Sequence, residues 1–66
     1  MRIAFVGGGN MGEAMIRSIL EKDVARPTDI TASDVSDSRR TYLGHEYGIA
    51  TLADNRSAAD SAEAVV

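Results

Sequence analysis

Ile3-Ala4-Phe5-Val6-Gly7-Gly8-Gly9-Asn10-Met11-Gly12 decides the fold of this chain. Four consecutive apolar residues end abruptly at three glycines, the pattern of a short strand buried on both faces of a parallel sheet. Directly beyond, Met11, Ala14, Met15, Ser18 and Ile19 recur at helical spacing while Glu13, Arg17 and Glu21 fall on the other side. The spacing predicts an amphipathic helix from Met11 to Glu21. The glycines fit G-x-G-x-x-G in one register only, with Gly7, Gly9 and Gly12 at the fixed positions. Strand, glycine turn and helix in that order give each glycine a task. Gly7 makes the tight turn, Gly9 lets backbone approach a pyrophosphate, and Gly12 lets the helix pack close to the strand. The helix start adds N–H groups and a partial positive charge for phosphates. A P-loop is excluded, because Glu13-Ala14 stand where Lys-Ser/Thr is required.

Outward from this unit, Lys22 to Asp29 carries charge and Pro27, and Ile30-Thr31-Ala32-Ser33 reads as a second strand ending at Asp34. Ser36 caps a helix from about Asp37 to Glu46, with Gly48 as its stop. Ile49 to Leu52 is a third strand, Asp54 or Asn55 caps a short Ala-rich helix, and Ala64-Val65-Val66 opens a fourth strand. The fold class is therefore α/β: a Rossmann-like parallel sheet with flanking helices. A closing strand without a covering helix leads to the expectation that the sheet is truncated before it is complete. Residues 1–66 are then the amino-terminal part of a dinucleotide-binding domain.

Asp34 lies 22 residues beyond Gly12, where a carboxylate accepts hydrogen bonds from the ribose hydroxyls of an adenosine; the plainer reading is a turn or cap aspartate. Arg39 and Arg40 follow, either as phosphate ligands or as a solvated helix face. Asn55 either contacts the adenosine side or caps its helix. His45, the single histidine, sits far from the glycine loop and reads as a surface residue, and Tyr42, Leu43 and Tyr47 read as a packing face. No residues complete a nucleophile–base pair or a metal-ligand set, so no catalytic and no metal residue is assigned.

With seven basic and ten acidic side chains, a net charge of -3 and one lysine, Lys22, the chain lacks the basic cluster that grips nucleic acid. No apolar run reaches the 18 or more residues of a membrane span, and the expected location is the cytoplasm. At 66 residues and without cysteine, one small domain is the limit, and its stability alone is marginal.

The run Met1 to Ile16 closely resembles the amino terminus of the pyrroline-5-carboxylate reductases, which complete proline synthesis. Ile30 to Asp34 with Arg39 or Arg40, Tyr47-Gly48-Ile49, Asp54-Asn55 and the run into Ala64-Val65-Val66 are similar in order and spacing, so the likeness covers essentially the whole chain. Gly-Asn-Met-Gly alone is shared with β-hydroxyacid dehydrogenases; the Gly-Gly-Gly start, Glu13-Ala14-Met15-Ile16 and Asp54-Asn55 favour the reductases. The resemblance implies that Val6, Gly7, Gly8, Gly9, Asn10 and Met11 cradle the cofactor phosphates; Gly12 joins the cofactor-binding set as the last glycine of the motif. The resemblance also implies that Asp34 lies by the ribose and that Asn55 contacts the cofactor; Arg39 is added to the cofactor-binding candidates for its charge. The expected cofactor is NADPH, with NAD possible: Asp34 favours a free 2′-hydroxyl, whereas Arg39 or Arg40 neutralises a 2′-phosphate. That family's Val-Lys-Pro motif and its helical substrate and dimerisation domain lie outside these residues. The chain alone is then expected to be inactive, and the full-length enzyme to be a homo-oligomer acting on an imine. The alternatives are the cofactor lobe of a β-hydroxyacid dehydrogenase and a non-catalytic nucleotide-binding module.

Overall fold

The computed structural model describes residues 2–7, 9–60 and 62–66, with Asn10 described by its backbone alone. Among the described residues four strands and three α-helices alternate: β1 (Ile3–Val6), α1 (Asn10–Glu21), β2 (Ile30–Ser33), α2 (Asp37–Tyr47), β3 (Ala50–Leu52), α3 (Asn55–Asp60) and β4 (Ala64–Val65). All neighbouring strands pair in parallel in the order β3-β2-β1-β4. Ile3 stands opposite Ile30 on one side and opposite Ala64 on the other, and Thr31 stands opposite Ala50. The chain thus leaves β1 in one direction for β2 and β3, then returns on the other side as β4. That reversal makes a switch point between β1 and β4, where open α/β sheets bind ligands beyond the carboxyl ends of their strands.

Strand alternation sorts the core. Ile3, Phe5, Ile30 and Ala32 form one cluster with Ile16 of α1, Leu43 of α2, Ala25 and Ile49. Ala4, on the opposite face of β1, is fully buried, and Ala58 of α3 is the buried residue of the helix packed there. Small side chains on both partners suit that close approach. Phe5 is the largest fully buried side chain, worth roughly 2–3 kcal/mol of transfer free energy.

The elements expected from the sequence are present, with bounds moved by a residue or so. Asn10 belongs to α1, α2 runs on to Tyr47, and Ile49 is a buried residue just before β3. Pro27 opens a 3-10 turn over Pro27–Asp29, within a segment read as a plain connection; the Asp29 carboxylate accepts the Arg26 amide at 3.3 Å. Asp54, rather than Asn55, caps α3, accepting the Arg56 amide at 3.0 Å and the Ser57 hydroxyl at 3.1 Å.

The buried face of α1 departs from expectation. Met11 is 81% and Met15 40% exposed, whereas Ile16 is fully buried and Leu20 packs against the core; Ile19 packs there as expected. Glu13, read as part of the polar face, is 8% exposed. Tyr42, read as packing, is 42% exposed, while Leu43 and Tyr47 do face the core. His45 is exposed, as expected.

Candidate functional site

The glycine loop leaves β1 at the switch point. Gly7 adopts φ +84°, a left-handed conformation that permits the turn, and its amide donates to the Ser33 carbonyl at 2.9 Å, tying the loop to the end of β2. A Cβ on Gly12 would sit 3.1 Å from the Gly7 carbonyl oxygen, so the close approach of α1 to the loop depends on a missing side chain. A Cβ on Gly9 would meet nothing within 4 Å, leaving a cradle open to a ligand beside the helix start. The Gly9 carbonyl accepts the first helical bond, from the Glu13 amide at 2.9 Å. The amides of Asn10, Met11 and Gly12 therefore precede the ladder and form the anion-favouring end of α1.

A cleft of about 360 Å³ opens here, lined by Phe5, Val6, Gly7, Gly9, Met11, Gly12, Met15 and Val66. Five of the residues expected from sequence to touch a dinucleotide, Val6, Gly7, Gly9, Met11 and Gly12, are thus brought together. Gly8 and the Asn10 side chain lie outside the described residues. Val66 closes the far wall, its backbone exchanging hydrogen bonds with Val6 and Ala4 of β1 at 2.9 and 2.8 Å. The residues present suit the phosphates and apolar rings of a nucleotide: a glycine cradle, first-turn amides and an apolar wall.

The other candidates stand along the same carboxyl edge. Asp34 follows β2, its amide donating to the Leu52 carbonyl at 3.0 Å and its carboxylate accepting the Ser36 amide at 2.8 Å, the geometry of an Asx turn. Asn55, the first residue of α3, accepts a short hydrogen bond from the buried Ser33 hydroxyl, which anchors it at the end of β2. Arg40 is engaged within the β2–α2 turn, donating to the Asp34 carbonyl at 2.7 Å and to Asp37 at 2.9 Å. Arg39, in the first turn of α2, donates to Glu13 Oε1 at 2.7 Å and lies over the Tyr42 ring at 5.2 Å.

Glu13 is the group that the sequence reading did not single out. Its Oε2 accepts the phenol protons of Tyr47 at 2.5 Å and Tyr42 at 2.7 Å, its Oε1 accepts Arg39, and Arg17 approaches to 3.7 Å. The Tyr47, Tyr42 and Arg39 donors, in that order, hold its carboxyl down at about 2, well below the usual carboxylate range. The same contact pushes the Tyr42 phenol up to about 12. The two rings meet edge to face, 6.4 Å apart. The available signal was chemical: tyrosines on a packing face need acceptors for their hydroxyls, and Glu13 is the acid at the start of the neighbouring helix.

Comparison with known proteins accords with this geometry. A family model described as NADP oxidoreductase coenzyme F420-dependent matches residues 2–66. A pyrroline-5-carboxylate reductase of Vibrio alginolyticus is 38% identical over 65 residues, covering 98% of this chain and 24% of that protein. Its counterpart from Corynebacterium melassecola is 36% identical over 63 residues, covering 96% of this chain and 23% of that protein. The structure of a pyrroline-5-carboxylate reductase from Coxiella burnetii superposes with a TM-score of 0.89 at 28% identity, over 97% of this chain and 23% of that one. The chain spans about a quarter of the length of the curated relatives it matches. With the strand order, the glycine loop and the family match over residues 2–66 in agreement, the chain belongs to the NADP oxidoreductase, coenzyme F420-dependent family.

Proposed function

We propose that this chain is the cofactor-binding part of a reductase that converts 1-pyrroline-5-carboxylate to L-proline, with NADPH as the preferred reductant. The observation that carries the cofactor reading is the glycine loop at the β1–β4 switch point, where Gly9 leaves open space and Gly12 stands against the Gly7 carbonyl. The imine substrate is carried by the resemblance to the reductases, which are its named relatives.

Val6 to Gly12 hold the pyrophosphate, with the first-turn amides of α1 as donors. Asp34, at the end of β2, accepts from a ribose hydroxyl, and Asn55 bounds the adenosine side. Arg39 meets the 2′-phosphate, offsetting the repulsion from Asp34; its side chain is a quarter exposed and so within reach of a ligand. The family's description, which names NADP, supports that preference. The bound nicotinamide supplies the hydride for the ring imine. The work of these residues is to fix the dinucleotide's position and to keep its phosphates neutralised.

The test has two stages. Calorimetric titration of the chain with NADPH is expected to show binding that Gly9→Val abolishes, because a branched side chain fills the cradle. NADPH oxidation in the presence of 1-pyrroline-5-carboxylate is then measured on the complete reading frame in which these residues occur. Turnover of a 3-hydroxy acid instead of the imine overturns the substrate assignment in favour of a β-hydroxyacid dehydrogenase. Binding with no turnover of either points to a nucleotide-binding module.

A further inference from the structure

We infer that Ser33 is a positioning residue for the dinucleotide: its buried hydroxyl, donating to Asn55 Oδ1, turns the Asn55 amide so that Nδ2 is the end offered to an acceptor atom of the adenosine half. The inference rests on the reading above that Asn55 bounds the adenosine side.

Three observations carry it. First, Ser33 closes β2 with no exposed surface, and Asn55 is the hydrogen-bond partner of its hydroxyl. A hydroxyl buried without a partner is costly, so the core itself holds this pair together. Second, the other end of the Asn55 amide is not spent on the protein. Asp54 caps α3, taking the Arg56 amide and the Ser57 hydroxyl. Among the described residues nothing bonds Asn55 Nδ2, and Asn55 is exposed. Third, Ser33 also ties in the glycine loop, because its carbonyl accepts the Gly7 amide at 2.9 Å. One residue thus sets Asn55 and the loop in a common frame.

A primary amide has one acceptor end and one donor end, and half a turn exchanges them. The reverse orientation of Asn55 would spend the Ser33 hydroxyl as an acceptor and leave its buried proton in need of another partner. Ser33 therefore selects the orientation in which Oδ1 faces the core and the two Nδ2 protons face the carboxyl edge of the sheet. The bond to Gly7 is made by the main chain and survives any change of the Ser33 side chain, so a substitution reads the hydroxyl alone.

The test is calorimetric titration of NADPH into the unaltered protein, Ser33→Ala, Asn55→Ala, the double variant and Asn55→Asp. Asn55→Ala is expected to weaken binding about tenfold and Ser33→Ala about fivefold, since a released amide still meets the ligand part of the time. Added to Asn55→Ala, Ser33→Ala is expected to change affinity by less than about twofold. A merely structural role weakens binding equally in both backgrounds, and that result, or no effect of Ser33→Ala, overturns the inference. Asn55→Asp keeps an acceptor for Ser33 and removes the donor at the other end, so it is expected to lose at least as much affinity as Asn55→Ala. Tighter binding than in Asn55→Ala shows that the ligand wants an acceptor there, and overturns the inference. If Asn55→Ala binds NADPH as the unaltered protein does, the reading of Asn55 fails and the inference with it; if the unaltered protein binds none, the cofactor reading fails first. Should Ser33→Ala not fold, Ser33→Cys keeps a side chain of similar shape with a far weaker donor. A loss seen only with Asn55 in place then supports the inference, and a loss in both backgrounds or in neither overturns it.

Discussion

Gly7, Gly9 and Gly12 occupy one loop and its helix, yet the space around each predicts a different consequence of adding a side chain. Gly7 is unobstructed but has φ +84°, so Gly7→Ala is expected to cost about 1–2 kcal/mol through backbone strain alone, read from denaturant midpoints. Gly12 has no such conformation, and its Cβ would press on the Gly7 carbonyl at 3.1 Å, so Gly12→Ala must separate helix from loop and weaken dinucleotide binding. A Cβ at Gly9 meets none of the described residues within 4 Å, and Gly9→Val is expected to spare stability while abolishing binding. Glu13 adds a dependence on pH. Its carboxyl lies at about 2 in the folded chain against an ordinary 4.5, so its contribution is fully present above about 4.5 and is lost as pH falls from there toward 2. Tyr42 is the alkaline counterpart, raised from 10.0 to about 12, with its contribution lost as pH rises across that interval. Glu13→Gln is expected to flatten both limbs of the stability–pH profile, and an unchanged acid limb would show that other carboxylates carry it. The glycines were legible because their tasks are local. Glu13 was not, since an acid four residues before Arg17 resembles an exposed helix pair until the tyrosines of α2 are placed over it.

The helices at the carboxyl edge of the sheet are capped by different means. At α2 the Ser36 hydroxyl accepts the Arg39 amide at 3.3 Å, and Gly48 ends the helix at φ 70° in the left-handed region. Ser36→Ala is expected to cost about 1 kcal/mol, measured by chemical denaturation, with some loss of order in the turn that carries Arg39. At α1 the cap position is Gly9, which has no side chain to offer, so its first amides are left to an anion. The order and type of the strands and α-helices were legible, since glycine, proline and capping residues punctuate the chain between them, while the 3-10 turn at Pro27–Asp29 was not. The phase of α1 was misread in part because its apolar residues span a wide arc, with Met11, Ala14 and Met15 towards one side, Ile16 and Leu20 towards the other, and Ile19, rightly placed on the packing face, between them. Periodicity alone cannot choose between them. Gly12 decides. A glycine required for close packing must face the strand, and Ile16 and Ile19, four and seven residues further on, then face inward as well. The signal was present in the glycine motif and was used for the ligand rather than for the packing.

Across the whole molecule, the sheet has two open sides of unlike character. β3 bounds one and β4 the other, and among the described residues no strand pairs with the outer edge of either. β4 is short, and Val65 and Val66 are 54% and 50% exposed. Val6 and Met15 beside the cleft are about two-fifths exposed and Met11 more so, which extends the apolar surface from the strand to the glycine loop. Unpaired backbone groups next to exposed apolar side chains form a template for another strand, and charge is the usual protection. The nearest charge on this edge is Glu63, whose carboxylate accepts the Arg2 amide at 3.2 Å. The 66-residue chain is therefore expected to self-associate through β4, with a weight-average sedimentation coefficient that rises with concentration. Val65→Lys places a charge on that edge without removing a buried side chain, so it is expected to return the chain to monomer while leaving its helical circular dichroism unchanged. Thr51→Lys on β3 serves as the control and is expected to leave association intact. A monodisperse monomer at every concentration, or suppression by Thr51→Lys as strong as by Val65→Lys, would show that the β4 edge is not the adhesive one.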